Sequence, residues 1–172
     1  MKKLLLVMLL VKSIFAYTEE YYNSFISSTN DPLKKQILKC EKEVSIHKDY
    51  GSPEVCIKSA EMYSKEKKLS IQQKEFFGEA YFNAAVMYNF GKGNKNYKKA
   101  AEMYQKSIDA GYCEFNQCEV KQNLAVLYYY GTGVEKNHIK VYKLFKSALD
   151  HGYPNAQKGL QILCTESPWA CK

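Results

Sequence analysis

Arginine is absent from this sequence of 172 residues, and all 25 of its basic residues are lysines. Because the guanidinium fork grips phosphates and guanine edges with two parallel hydrogen bonds, its absence weakens the case for nucleic-acid recognition. We therefore interpret the net charge of +7 as a solvated surface and expect no nucleic-acid partner. Proline and glycine are also scarce, at 4 and 9 residues, which excludes a fibrous or proline-rich protein.

Long hydrophobic runs are missing too. The apolar run Leu4–Val11 has eight residues, whereas a helix that spans a bilayer needs about 20. It follows two lysines and precedes the small residue Ala16, an arrangement typical of a secretory signal peptide. We expect residues 1–16 to be removed, the mature chain to begin at Tyr17, and the product to be periplasmic or secreted without spanning a membrane.

Metal-ligand and redox spacings are also lacking. None of the six cysteines lies in a C-x-x-C motif and the three histidines are scattered, so we expect no metal and no cofactor. An even number of cysteines in an exported chain favours disulfides. Six cysteines allow many pairings, and neighbour pairing is the simplest because short loops lose the least chain entropy. The neighbouring couples are Cys40 and Cys56, Cys113 and Cys118, and Cys164 and Cys171.

What the sequence does contain is a repeat with a period near 40 residues. Residues 82–93 align with 122–133, and 94–112 align with 135–153 once Val134 is treated as an insertion. Twelve of the 31 aligned positions are identical. Each copy predicts an alanine- and tyrosine-rich helix, a G-x-G turn in which glycine adopts positive φ, and a second amphipathic helix that ends at a left-handed glycine. These glycines are Gly91, Gly93 and Gly111 in the first copy and Gly131, Gly133 and Gly152 in the second.

The remaining sequence also predicts helices. A turn over residues 49–53 separates two of them, and residues 155–164 begin a third copy that stops after one helix, where Cys164 and Cys171 would fasten the tail. We divide the chain into a signal peptide (1–16), N-terminal helices (17–52) and a repeat array with a disulfide-linked end (53–172). The additional predicted helices are Thr18–Ser28, Pro32–His47, Pro53–Lys67 and Ile71–Phe90.

The pattern L/A-[GA]-x-x-Y-x-x-G-x-G, a lysine-rich link and a helix ending in D-x-G resembles the Sel-one-like repeat, a relative of the tetratricopeptide repeat. An exported, lysine-rich chain with cysteine couples between helices is similar to the Helicobacter cysteine-rich proteins. The resemblance implies an all-α fold, an α-solenoid of about seven or eight antiparallel helices with local disulfides and a concave face. It also implies an adaptor for protein complexes, or a weak β-lactamase, since some members carry that name.

No catalytic constellation accompanies this resemblance. The two S-x-x-K strings, Ser45–Lys48 and Ser64–Lys67, are as many as chance gives, and the S-D-N and K-T-G motifs of serine β-lactamases are absent. Glu79 and Glu114 are better explained as solvated helix charges than as catalytic acids. Catalytic residues therefore stay unassigned, and whether the chain is an enzyme stays open.

Two asparagines are the candidate binding residues. Asn83 and Asn123 are identical between the copies and lie on the first helix of each, away from the alanine and tyrosine seam. Such amides could bond an extended peptide, although they could also be ordinary surface residues. The leading interpretation is an exported, disulfide-linked helical scaffold that binds a protein or peptide on its concave face. The alternative is a β-lactam-binding or β-lactam-hydrolysing enzyme, and a receptor for peptidoglycan-derived peptides lies between the two.

Overall fold

The computed structural model describes residues 23, 26–28, 30–47, 51–65, 71–115 and 119–172. The predicted signal peptide and most of the predicted helix Thr18–Ser28 lie outside these residues. The described part contains seven α-helices, two short 3₁₀ helices and no strand. The α-helices are α1 (Pro32–His47), α2 (Pro53–Ser64), α3 (Ile71–Phe90), α4 (Tyr97–Asp109), α5 (Glu119–Tyr130), α6 (His138–Asp150) and α7 (Ala156–Glu166), and the 3₁₀ helices are Tyr112–Phe115 and Pro168–Cys171.

Each helix packs against its neighbours along the chain. The pairs α1–α2, α3–α4 and α5–α6 share extensive contacts, and α2–α3, α4–α5 and α6–α7 join one pair to the next. The prediction of an all-α array of helix pairs is confirmed. One boundary is wrong, because α2 ends at Ser64 rather than Lys67 and its last turn tightens where the Lys65 N–H donates to the Met62 carbonyl at 3.4 Å. None of the described helices is long and apolar enough to cross a membrane.

The second helix of each repeat begins at an asparagine cap. Asn96 and Asn137 have extended backbones, with φ of −151° and −149°, and their side chains accept the N–H of the third helical residue at 3.0 and 2.9 Å. The backbone N–H of each asparagine donates to a tyrosine carbonyl on the first helix, from Asn96 to Tyr88 at 2.7 Å and from Asn137 to Tyr128 at 3.0 Å. Both second helices therefore begin with the same cap.

The glycine prediction holds in part. The left-handed glycines expected after α4 and α6 are present, with φ of 85° at Gly111 and 81° at Gly152. The G-x-G turn of the second copy is left-handed at Gly131 and Gly133, with φ of 71° and 73°. The same expectation is wrong for the first copy, whose two turn glycines are not among the left-handed residues of the described chain. That turn is one residue shorter because it lacks the counterpart of Val134, and it reverses the chain without left-handed backbone.

Small residues and aromatic rings together form the core. Alanines lie fully buried between the helices, which lets the backbones approach closely, and large rings fill the remaining space. Tyr104 on α4 is fully buried, and Phe145 is its counterpart on α6. The Phe82 ring lies 6.1 Å from the Tyr104 ring and stacks on Tyr112 at 5.2 Å. The fully buried alanines are Ala60, Ala84, Ala85, Ala100, Ala125, Ala148 and Ala156.

Local disulfides close both ends of the described array. One joins α1 to α2 across their turn, between Cys40 and Cys56, whose Cα atoms lie 4.6 Å apart. Another joins α7 to the final 3₁₀ helix, between Cys164 and Cys171, with Cα atoms 5.7 Å apart. Cys113 is disulfide-bonded as well, and its predicted partner Cys118 lies outside the described residues. The prediction of local disulfides is confirmed.

Candidate functional site: the grooves between the first helices

The first helices of successive pairs leave grooves between them, each with a side chain from the intervening second helix in its floor. The N-terminal groove lies between α1 and α3, and the C-terminal groove lies between α5 and α7. The N-terminal groove is lined by Ile37, Cys40, Glu41, Ser59, Phe76, Glu79, Ala80 and Asn83. The C-terminal groove is lined by Val126, Tyr129, Tyr130, Phe145, Gly159 and Ile162.

The N-terminal groove is nearly filled. It encloses only about 20 Å³, room for little more than one water molecule. Ser59 in its floor is buried and donates from Oγ to the Gln36 carbonyl at 2.9 Å, which ties α2 to α1. Glu41 lies at the edge, and burial raises the pKa of its carboxyl. This groove is a shallow depression with a carboxyl at its edge.

The space between α3 and α5 is occupied by the chain itself. The 3₁₀ helix Tyr112–Phe115 contacts both helices, and Tyr112 is buried. A Cβ atom added at Gly78 would lie 2.6 Å from the Tyr112 Cβ, so glycine is needed where the two segments meet. The Ser107 hydroxyl donates to the Gly78 carbonyl at 2.7 Å and holds α4 against the same point.

The C-terminal groove is open and apolar. It encloses about 120 Å³, and Val126 and Ile162 on its walls are 39% and 44% exposed. Gly159 makes the opening possible, because a Cβ at that position would lie 2.5 Å from Cζ of the Phe145 ring. With glycine there, Phe145 forms the floor and α7 passes directly above it.

One rim of the C-terminal groove is held by a stack of rings. The Tyr129 ring stacks on His138 at 5.2 Å and 9°, and His138 stacks on Trp169 at 5.9 Å and 14°. His138 Nδ1 lies 2.6 Å from the Ser167 Oγ. The Tyr129 hydroxyl donates to the Glu166 carboxylate, and this hydrogen bond raises the pKa of Tyr129 to about 12. The rim is therefore fixed between α5, α6 and the disulfide-linked end of the chain.

The two predicted binding asparagines occupy different environments. Asn83 is half-buried at the N-terminal groove, and its side chain makes no hydrogen bond to any described residue. Asn123 lies beside the Tyr104 hydroxyl, and its Nδ2 atom is buried without a partner among the described residues. The Tyr104 hydroxyl accepts a hydrogen bond from Asn89 Nδ2 at 3.2 Å. The structure therefore does not bring Asn83 and Asn123 together on one groove.

Sequence reasoning missed the residues of the C-terminal groove. Residues 156 and 160 align with Val120 and Leu124, and the same register places Ile162 over Val126 and Gly159 over Asn123. A glycine at the position of the repeated asparagine was the available signal. That glycine alone does not predict a groove, because the groove also depends on the contact between Gly159 and Phe145.

The other sequence motifs bring no catalytic set together. Ser64 donates from Oγ to the Glu61 carbonyl at 2.8 Å, and the Lys67 of its S-x-x-K string lies outside the described residues. The side chains of the other string and of Glu114 lie outside them as well. Across the ranges that the structure describes, no group of three or more His, Cys, Asp or Glu residues could hold a metal ion.

Comparison with known families identifies the repeats. The Sel1 repeat model matches residues 78–112 and 122–153, which contain α4, α6, nearly all of α5 and most of α3. No curated protein matches the chain. The matched residues include neither of the disulfides at the ends of the array, so the Helicobacter cysteine-rich type and its β-lactamase naming gain no support from this match.

Proposed function

We propose that this chain, a Sel1-repeat protein, is an interaction scaffold that binds a peptide segment of a partner protein in its C-terminal groove. Stacked helix pairs present extended surfaces suited to such segments. The proposal rests on the cluster of exposed apolar side chains at the C-terminal groove. Val126 and Ile162 form its walls, and Tyr130 at its edge is 70% exposed. Clusters of this kind mark interaction sites more often than isolated exposed residues do.

The size of the groove favours a peptide side chain over a whole small molecule. Pockets for drug-sized ligands enclose roughly 300–1,000 Å³ and bury most of the ligand. The C-terminal groove encloses about 120 Å³, enough for one aliphatic side chain. We therefore expect the partner to insert one apolar residue and to lay the rest of its segment along α5 and α7.

The small volume of the C-terminal groove also disfavours a β-lactam as its ligand. A β-lactam needs a larger pocket, and no acidic, basic or hydroxyl group other than the tyrosine hydroxyls lines this one. The oxidised protein incubated with a chromogenic cephalosporin is the direct test. Turnover that follows the protein through purification from a strain without other lactamases would support the enzyme instead.

We further propose that the chain is exported to the periplasm or secreted. Disulfides persist in oxidising compartments, and three cysteine couples occur in the chain, at least two of which are bridged. The N-terminal pattern of lysines, apolar run and Ala16 agrees with this. Mass spectrometry of protein recovered from cell fractions tests it, with an extracytoplasmic product beginning at Tyr17 as the expected result.

The binding proposal is tested with random peptides displayed on phage. The oxidised wild-type protein is the bait, and selected peptides are then measured against three variants in solution. Val126→Lys and Ile162→Lys place a charge in the groove at exposed positions. Ile139→Lys places the same charge at an exposed position of α6 that does not line the groove.

We expect the selected peptides to share one apolar residue. Their affinity should fall at least about tenfold for Val126→Lys and Ile162→Lys, because burying a lysine beside an apolar anchor removes more than about 1.4 kcal/mol of binding free energy. Ile139→Lys should bind as the wild type does. Equal affinity for all three variants would place the binding surface elsewhere and contradict the proposal.

A further inference from the structure

A tyrosine and a lysine in the first repeat hold a carboxylate from the preceding helix. The Tyr88 hydroxyl donates to Glu54 Oε1 at 2.6 Å, and the Lys99 ammonium lies 3.4 Å from the Tyr88 hydroxyl and 4.0 Å from the same carboxylate oxygen. The hydrogen bond from Tyr88 is the main cause that lowers the pKa of Glu54. Glu54 is the second residue of α2, so one helix pair supplies the anion and the next supplies its donors.

The second repeat has the same tyrosine and lysine but no such carboxylate. The Lys140 ammonium donates to the Tyr128 hydroxyl at 2.7 Å and lies 4.2 Å from the centre of the Tyr128 ring. Tyr128 and Lys140 are identical in the repeat alignment to Tyr88 and Lys99. The second residue of the preceding second helix, α4, is Lys98, where α2 has its glutamate.

The backbone geometry places Lys98 at the corresponding point. In the first repeat, the turn after α3 contacts the start of α2, where Asn94 Nδ2 bonds the Gly51 carbonyl. In the second repeat, the turn after α5 contacts the start of α4, because a Cβ at Gly133 would lie 2.5 Å from the Lys98 nitrogen. Lys98 and Tyr128 line one open cavity of about 390 Å³.

Lysines outnumber carboxylates among the residues that line this cavity. Glu102 is the only carboxylate among its lining residues, and it pairs with Lys106 on its own helix at 3.1 Å. Lys140 already donates to the Tyr128 hydroxyl, and no acceptor for the hydroxyl proton is present among the described residues. Lys98 and Tyr128 therefore border a cavity at the place where the first repeat holds a carboxylate, and the Lys140 ammonium lies 2.7 Å from the Tyr128 hydroxyl.

We propose that Tyr128, Lys140 and Lys98 form a binding site for an external carboxylate group, separate from the C-terminal groove. Tyr128 donates the hydrogen bond, as Tyr88 does to Glu54, Lys140 supplies a nearby positive charge, as Lys99 does at 4.0 Å, and Lys98 adds a second one. An acidic side chain, the C-terminus of a partner protein or a free carboxylic acid would all present the required chemistry. The site lies at the C-terminal end of α5 and the starts of α4 and α6, and it includes none of the residues that line the proposed peptide groove.

The site is tested by titrating the oxidised, isotope-labelled protein with acetate at constant ionic strength, and following its signals by nuclear magnetic resonance. We expect saturable changes at Tyr128 and Lys140. Tyr128→Phe and Lys140→Gln should each weaken acetate binding about tenfold, because the first removes a hydrogen bond to the carboxylate and the second removes a positive charge beside it. Lys146→Gln changes an exposed lysine on the same helix whose ammonium lies over the Tyr142 ring rather than at Tyr128, and it should leave binding unchanged.

Lys98→Glu places a glutamate where the first repeat has Glu54, and the substituted position is exposed. It should abolish acetate binding by occupying the site, whereas Lys98→Gln should weaken binding by a smaller factor. Acetate changes that do not saturate, that persist in Lys98→Glu, or that are equal in Tyr128→Phe and Lys146→Gln would overturn the proposal. So would tighter binding of inorganic phosphate than of acetate.

The source of the carboxylate is distinguished with short peptides. A peptide with a free C-terminus, the same peptide with an amidated C-terminus, and an amidated peptide with one internal glutamate are compared with acetate. Binding of the first alone indicates a terminal carboxylate, binding of the third indicates an acidic side chain, and each result supports the site. Acetate binding without any peptide binding restricts the ligand to free carboxylic acids.

Discussion

The two repeats that match the Sel1 model share their helix caps and differ in their turns and neighbours. In the first repeat both places are filled, since Glu54 of the preceding helix bonds to the tyrosine–lysine pair and Tyr112 at the end of the repeat occupies the space beside α3. In the second repeat, Lys98 stands where the first repeat has Glu54, and Gly159 lies beside α5. Both of these places are open. The residues that decide which surfaces are available therefore include ones supplied by neighbouring helices, namely Glu54, Lys98 and Gly159.

The largest expected effect on stability comes from replacing a core residue of the second repeat with its smaller counterpart from the first. Leu124 is fully buried on α5, and its counterpart in the first repeat is Ala84. Leu124→Ala should lower the free energy of unfolding by about 2–5 kcal/mol, because the cavity is not filled by relaxation. The reverse change, Ala84→Leu, should lower it by about 1–3 kcal/mol through overpacking. Urea unfolding measures both, and a neutral Leu124→Ala would show that the two cores are interchangeable.

The two end disulfides should contribute unequally. Cys40 and Cys56 close a loop with a sequence separation of 16, and Cys164 and Cys171 one with a separation of 7. Replacing the first couple with alanines should cost roughly 3 kcal/mol and the second about 2.5 kcal/mol, since longer loops restrict the unfolded chain more. Thermal unfolding of the two double variants shows which replacement lowers stability more. A larger loss from the Cys164 and Cys171 pair would contradict this explanation.

The two G-x-G turns should respond differently to alanine. Gly133 has φ of 73°, and a Cβ there would lie 2.4 Å from the Tyr97 carbonyl carbon. Gly133→Ala should therefore cost at least about 1–2 kcal/mol. Gly93→Ala should cost less than about 0.5 kcal/mol, because Gly93 is not left-handed. Equal losses in chemical unfolding would mean that the turns have the same conformation.

The smallest expected effect concerns the carboxylate of the first repeat. Since the pKa of Glu54 is lowered in the folded chain, its contribution to stability is present above its usual pKa near 4.5 and is lost as pH falls through the lowered value. Glu54→Gln should lower stability by under about 1 kcal/mol at pH 7, because the group is largely exposed. The difference from the wild type should vanish in strong acid. A difference that grows with acidity would have the wrong sign.

The sequence correctly predicted features that depend on residues close together in the chain. The bounds of α1 and α3, the left-handed Gly111 and Gly152 and the local disulfides follow from periodicity, caps and spacing. The prediction for Asn123 did not anticipate that Tyr104 of the preceding repeat would lie beside its amide.

The C-terminal groove depends on a contact between helices rather than on a motif. Its opening requires Gly159 on α7 to lie against Phe145 on α6. This is a tertiary contact between a partial repeat and its neighbour, and periodicity describes only one helix at a time. The same limit applies to Lys98, whose importance emerges only when α4 is placed beside Tyr128.

The most direct test compares equivalent valines in the two repeats. Val126 is exposed in the C-terminal groove, whereas its counterpart Val86 is half-buried against the core. A phage-selected peptide that carries a nitroxide spin label is added to the oxidised, methyl-labelled wild-type protein. We predict that the methyl signals of Val126 and Ile162 broaden and that those of Val86 do not. Broadening of Val86 with unchanged Val126 would contradict the conclusion that the second repeat is the open one.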